Sequence, residues 1–265
     1  MPNQPGILAC ARPLGAMVTT LTSALLMYGC AALQPPGDPE NRQTMPDRPR
    51  REILGTSRLG RPIEIEYFGA GSSAVLILGG IHGDEVTSVD LTRKLMARLR
   101  ERPELTAGKT VAIIEVANPD GYWRRTRTNA RGVDLNRNFP ARNYRPGGPR
   151  GYNAASAPAS EPETRAILAA IAELKPSLII SIHSIRGGRE CNNYDGPAEP
   201  VARAMHAHNG YPVTATIGYP TPGSLGSYAG IDLQIPTVTL ELPRNQSGDE
   251  AWRVNEPALL AAIRW

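Results

Sequence analysis

His82, Glu85 and His183 are the residues whose types and positions could do chemistry together. A histidine and a carboxylate three apart, where an apolar run turns into a helix, can bring imidazole and carboxylate onto one ion. His183 follows a second apolar run, and strands of one sheet would deliver both at the same edge. Two histidines and a carboxylate fill three positions of a tetrahedral zinc ion and leave a fourth for water, which a hydrolytic site needs. Glu241 is a lone carboxylate closing another apolar run, and Asn118-Pro-Asp-Gly121 reads as a turn. His206 and His208, two apart on a polar helix, face apart and read as surface residues. Cys191 lacks a histidine-paired setting and reads as a small half-buried thiol rather than a nucleophile.

The elements that must position these groups alternate between strand and helix. Residues 63–68 alternate like an edge strand, and residues 74–78 form the continuous apolar run of a strand buried on both faces. Gly79-Gly80 ends it, and residues 85–100 place Val86, Val89, Leu95, Met96 and Leu99 near one helical face. Residues 111–116 and 177–182 read as further buried strands, and 238–240 as a late strand ending at Glu241. Ser160 with Glu163 reads as a capping box opening a helix over 161–174, which Lys175-Pro176 stops; 200–209 is another helix. This alternation predicts one α/β domain, a three-layer α/β/α sandwich around a mixed, largely parallel central sheet. In such sheets ligands bind at the carboxyl ends of the strands.

The 265 residues leave room for one large domain. A balance of 29 Lys+Arg against 25 Asp+Glu could suggest nucleic acid, but 3 Trp, 9 Tyr and 2 Phe leave little for base stacking. The charge is also local. Residues 121–150 hold eight Arg against the single acid Asp134, a net +7, while the rest of the chain is net −3. Such a field suits a small acidic substrate rather than nucleic acid. Residues 1–29 carry one charge, Arg12, before an apolar run, as expected of a signal peptide. Leu26-Met27-Tyr28-Gly29-Cys30 resembles a bacterial lipobox, whose cysteine takes the lipid. Residues 30–52, rich in Pro, Arg, Gln and Asp, read as a disordered tether, and 53–265 as the catalytic domain. The expected location is the periplasm or cell envelope, with the membrane reached only through a lipid on Cys30.

Five segments carry a resemblance: Gly79-Gly-Ile-His-Gly-Asp-Glu85, Asn118-Pro-Asp-Gly121, Gly132-Val-Asp-Leu-Asn-Arg-Asn-Phe139, Ser181-Ile-His183 and Leu240-Glu-Leu-Pro243. In this order they resemble the zinc carboxypeptidases of the M14 type, and more closely their bacterial murein peptide amidase branch. The resemblance spans roughly residues 54–264. It implies His82, Glu85 and His183 as ligands of one zinc ion per chain and Glu241 as general base toward the attacking water. It implies Asn136 and Arg137 as the pair holding a free substrate carboxylate, which a guanidinium and an amide grip in two directions. Tyr219 resembles the family's mobile phenol that closes over substrate. An arginine stabilising the developing oxyanion is also implied. Two fit: Arg124 matches the digestive enzymes, and Arg127, preferred here, matches the amidase branch. Tyr228 is expected to pack. The leaving-residue pocket is expected around Gly226, Ser227 and Asp232, with Asp232 selecting a basic side chain.

The combined reading is an exported, lipid-anchored zinc metallopeptidase hydrolysing an amide bond next to a free carboxylate. Its expected substrates are peptides or muropeptides, and the resemblance points to the bond between γ-D-Glu and diaminopimelate. An acylamino-acid deacylase of the succinylglutamate desuccinylase and aspartoacylase type shares the Gly-x-His-Gly-x-Glu start; the leader and the Tyr219 loop stand against it. A non-catalytic cell-wall-binding lipoprotein would have lost a ligand or the base, and all four residues are present.

Overall fold

The computed structural model describes residues 49–106, 108–148, 152–186 and 188–265. The expected leader at 1–29, the lipidation candidate Cys30 and the expected tether as far as residue 48 lie outside the described residues. One mixed sheet contains β1 (Arg50–Thr56), β2 (Pro62–Phe68), β3 (Ser73–Leu78), β4 (Lys109–Ile114), β5 (Leu178–Ile185), β6 (Cys191–Asp195), β7 (Val213–Thr214) and β8 (Thr237–Pro243). Its spatial order is β1-β2-β4-β3-β5-β8-β6-β7. The central strands β4, β3, β5 and β8 run parallel, and β1–β2, β2–β4 and β6–β8 pair antiparallel. β5 is buried at every position, as a strand covered on both faces requires.

The helices are α1 (Val86–Glu101), α2 (Pro119–Arg124), α3 (Pro162–Leu174), α4 (Glu199–Asn209) and α5 (Gly248–Arg264). On one face Leu91 and Leu95 of α1, Met205 of α4 and Leu259 and Ile263 of α5 pack on Val75, Ile77, Ile180 and Leu240. On the other, Ala166, Ile167 and Ala170 of α3 pack on Ile65, Leu76, Leu78 and Ile114. This is the expected three-layer sandwich. Each fully buried Leu or Ile contributes roughly 1.5–3 kcal/mol, against about 0–1 kcal/mol for an exposed ion pair. The apolar layers therefore fix the spacing of the strand ends, not the Arg-rich surface. Among the described residues no helix is long and apolar enough to cross a membrane.

Several elements differ from expectation. β1 begins at Arg50, so residues 50–52 are strand rather than tether, and β1 rather than β2 forms the edge. Its charges have partners: the Arg50 guanidinium lies 4.2 Å from the Tyr67 ring centroid, and Arg51 pairs with Glu64 at 3.4 Å. A charged edge strand also discourages pairing with other chains. The capping box does not form. Glu161 is the N-cap of α3 without a side-chain bond, Pro162 occupies a first-turn position that needs no N–H, and Glu163 accepts from the Arg58 backbone and from Asn129. β6 and α5 are additional elements, and β5 continues two residues past His183.

Candidate metal centre and active site

The loop after β3 is shaped by contacts that leave no room for side chains. Asn118 caps α2 by accepting from the Gly121 N–H at 2.9 Å, and its amide reaches the Ile81 carbonyl at 3.3 Å. A Cβ on Gly83 would lie 1.9 Å from the Gly121 carbonyl carbon, so Gly83 and Gly121 meet backbone to backbone. This seats His82 and Glu85 over the carboxyl end of the sheet. Glu85 is the N-cap of α1, yet its carboxylate makes no cap bond. It turns instead to His82 Nδ1 at 2.9 Å, His183 Nδ1 at 3.0 Å and the Ser184 N–H at 3.0 Å.

His82, Glu85 and His183 are all buried, and one ligand atom from each lies within 4.8 Å of the others. The two Nδ1 atoms face each other at 3.1 Å across the Glu85 carboxylate. Two imidazoles and one carboxylate converging in a buried pocket are a donor set that fits zinc. His82 Nε2 meets Asp134 Oδ1 at 3.0 Å, the outer carboxylate contact that orients a ligating histidine and leaves Nδ1 for the metal. Asp134 also accepts from the Asn136 N–H at 3.0 Å and Arg127 Nε at 3.0 Å. Burial alone would raise the Asp134 carboxyl, but His82 and Arg127 outweigh it and hold it well below the usual carboxylate range.

Glu241 sits on β8 directly across from His183 of β5. It is buried, and burial raises its carboxyl above the usual range, so it is a better proton acceptor than an exposed glutamate. Arg137 is also buried, with Nη1 donating to the Asn136 carbonyl at 2.6 Å and Nε without a partner among the described residues. Burial pushes its pKa down, because a guanidinium short of hydrogen-bond acceptors is poorly stabilised. Asn136 Oδ1 accepts from the Leu225 N–H at 2.9 Å, which leaves its amide nitrogen for the pocket. Tyr219 is half-buried and stacks with Tyr152 at 6.3 Å; burial raises its phenol.

The two candidate oxyanion arginines separate cleanly. Arg127 lines the metal pocket, with Nη1 3.4 Å from Glu85 Oε1, whereas Arg124 is exposed at the end of α2. Arg125 adopts a left-handed conformation (φ 57°) that ends α2 and turns the chain, so Arg127 and not Arg124 returns to the site.

Asp232 does not line the pocket; Arg142 takes its carboxylate, from the backbone N–H at 2.6 Å and from Nε at 2.9 Å. Ser227 is turned to Asn143 and Ser224, while Gly226 does line the pocket. The carboxylate that reaches the pocket is Asp195, at the end of β6. It accepts no hydrogen bond among the described residues, and burial raises its pKa from 3.8 to about 6. Gly226 makes space for it, since a Cβ there would stand 2.1 Å from Asp195 Oδ2. Cys191 is a free thiol, fully rather than half buried, that pairs in register with Glu241; burial raises its pKa, the opposite of an activated nucleophile. Tyr228 stacks on Phe139 at 6.3 Å, and His206 and His208 are exposed.

Comparison with known proteins agrees with this geometry. The M14 zinc carboxypeptidase family model matches residues 40–188. Murein peptide amidase A of Escherichia coli K12 is 35% identical over 230 residues, covering 82% of this chain and 90% of that protein. The crystal structure of the murein-tripeptide amidase MpaA from Escherichia coli O157 superposes with a TM-score of 0.64 at 31% identity, covering 82% of this chain and 93% of the other. Carboxypeptidase A from Helicoverpa armigera, at 22% identity, covers 82% of this chain and 69% of its own and shares the fold, with a TM-score of 0.66.

Proposed function

The chain belongs to the zinc carboxypeptidase family and is a zinc-dependent hydrolase of the metallopeptidase and amidase kind; from that premise we propose that it is an exported murein peptide amidase. Its substrate is a peptidoglycan peptide, cut at the amide that joins γ-D-Glu to diaminopimelate. The observation that carries this reading is the pairing of Arg137, a buried guanidinium with a free Nε, and Asp195, a carboxylate without a hydrogen bond, in one pocket beside Glu241. A leaving residue that fills it carries both a free carboxylate and a second amino group, as diaminopimelate does. Relatives named as murein peptide amidases support the same choice.

His82, Glu85 and His183 would hold the zinc ion, which when bound would supply Lewis-acid polarisation of the scissile carbonyl and a lowered pKa for water. The chain's own groups do the rest. Arg137 and Asn136 grip the free carboxylate and fix the amide over the ligands. Glu241 takes a proton from the attacking water and returns it to the leaving nitrogen. Arg127 donates to the oxygen on which negative charge develops; it is preorganised by Asp134, so little reorientation is needed. Tyr219 closes over the bound residue. Export rests on the apolar leader, and anchoring on Cys30 in its lipobox-like setting; Cys30→Ala should move the protein from the membrane to the soluble fraction.

The test is mass spectrometry of products from purified muropeptides and from N-succinylglutamate. Free diaminopimelate-terminated product from the former supports the amidase. Hydrolysis confined to succinylglutamate would assign the chain to the acylamino-acid deacylases, and binding of muropeptides without cleavage would make it a wall-binding protein.

A further inference from the structure

Two clefts that share no lining residue with each other adjoin the metal pocket. One, lined by Arg142, Tyr144, Tyr152 and Pro220, joins it through Tyr219, next to the Arg137 guanidinium, which lies 4.8 Å from the Tyr152 ring centroid. The other, about 860 Å3 in volume, joins it through Ile185. Its polar lining is Asp84, Arg186, Arg244, Asn245, Gln246 and Glu250. Arg244 follows Glu241 by three residues, and its backbone N–H donates to the Ile185 carbonyl at 3.0 Å, tying the ends of β5 and β8 together. One nitrogen of its guanidinium pairs with Asp84, and Nη1 lies 3.7 Å from Glu85 Oε1, at the margin of the metal pocket. Arg186 is exposed at the rim and forms no ion pair among the described residues.

The amidase reading, on which this inference rests, fixes the direction of the substrate. Arg137, beside the Tyr152 ring that stacks on Tyr219, holds the leaving carboxylate on the Tyr219 side, so the acyl half extends the other way, past Ile185. We propose that the Arg244 cleft is the acyl-side subsite and that Arg244, assisted by Arg186, receives a free carboxylate on the acyl residue. In a γ-linked glutamyl group that carboxylate stands four bonds from the scissile carbonyl, near enough for a guanidinium beside Glu85 to reach. An ordinary α-linked peptide offers no charge there. The Arg244 side chain is only 21% exposed, so a carboxylate in the cleft meets it with less screening than at the surface. Asp84 pairs with one terminal nitrogen of the guanidinium and Glu85 approaches the other, which leaves Nε, without a hydrogen bond among the described residues, to meet the ligand.

The experiment uses the zinc-loaded full chain and two γ-D-glutamyl-diaminopimelate peptides that differ only in the α-carboxylate, free in one and amidated in the other. The free acid should show a kcat/KM higher by about 10–100-fold, a charged hydrogen bond's worth, carried mainly in KM. Arg244→Gln should bring the two peptides to within about threefold, and Arg186→Gln, at an exposed site without a folding role, should narrow the gap. A brace that merely supports the fold would slow both peptides equally. Calorimetric binding of the acyl product, L-alanyl-D-glutamate, against its α-amide reads the subsite without catalysis. Tighter binding of the acid that is lost in Arg244→Gln supports the subsite, even if neither peptide is cleaved and the amidase reading falls. Equal binding of acid and amide by the wild-type chain, or no binding of either, overturns it.

Discussion

Removing the charge of Asp195 should make the protein more stable and less active, with the stability gain set by pH. Burial raises this carboxyl from 3.8 to about 6, so the folded state binds its proton more tightly than the unfolded chain does. A group with a raised folded pKa contributes stability that is complete below the unfolded value and is lost as pH rises through the folded one. Two pKa units correspond to about 3 kcal/mol, the cost of keeping Asp195 ionised at pH 7. Asp195→Asn keeps the shape and abolishes the charge. In chelator, urea unfolding should find the variant about 2–3 kcal/mol more stable than wild type at pH 7, with the difference vanishing near pH 4. Zinc should shrink the gain, because its charge offsets the cost of a nearby carboxylate. The same variant should lose about 10–100-fold in kcat/KM on substrates whose leaving residue has a second amino group. A variant less stable than wild type at pH 7, or a gain equal at pH 4 and pH 7, would refute the claim that Asp195 is an uncompensated charge kept for ligand.

Other perturbations address the remaining parts of the site. Arg137→Met should raise KM and lower kcat/KM by about 10–100-fold for substrates with a free leaving-residue carboxylate, while leaving C-terminally amidated analogues nearly unaffected; parallel kinetics on the two kinds separate these outcomes. Gly83→Ala forces a Cβ to within 1.9 Å of the Gly121 carbonyl carbon, and should cost about 1–3 kcal/mol in unfolding experiments and reduce bound zinc. Asp134→Ala removes the partner of His82 Nε2 and should weaken zinc binding by about 10–100-fold in competition with a chelating dye.

The parts of this molecule that were legible in the sequence share a physical origin. His82, Glu85, His183 and Glu241 stand at the ends of continuous apolar runs, and such runs become the central strands whose carboxyl ends form the site. Asp195 was not legible, because β6 reads Cys-Asn-Asn-Tyr-Asp with no apolar alternation. The burial of the two asparagines of β6 is made tolerable by distant partners, with Asn192 bonded to Asn209 and the Tyr211 carbonyl and Asn193 to the Thr214 carbonyl. Asp232 was a reasonable choice by position alone, but Arg142, ninety residues away in the chain, claims it. β1 was hidden by the charges that suit an edge strand. In α5 the apolar face of Ala251, Ala258, Leu259, Ala262 and Ile263 is interrupted by buried Asn255 and by Pro257. The choice between Arg124 and Arg127 needed the left-handed turn at Arg125, which no residue-type preference announces.

In the proposed mechanism Glu241 moves the proton in a zinc-assisted hydrolysis without helping to hold the metal. This role is tested most directly by the turnover of Glu241→Gln on a purified muropeptide at a zinc content matched to wild type. The expected result is a fall of about 10²–10⁴-fold in kcat with one zinc still bound. A variant that cleaves at the wild-type rate would show that Glu241 does not move the proton.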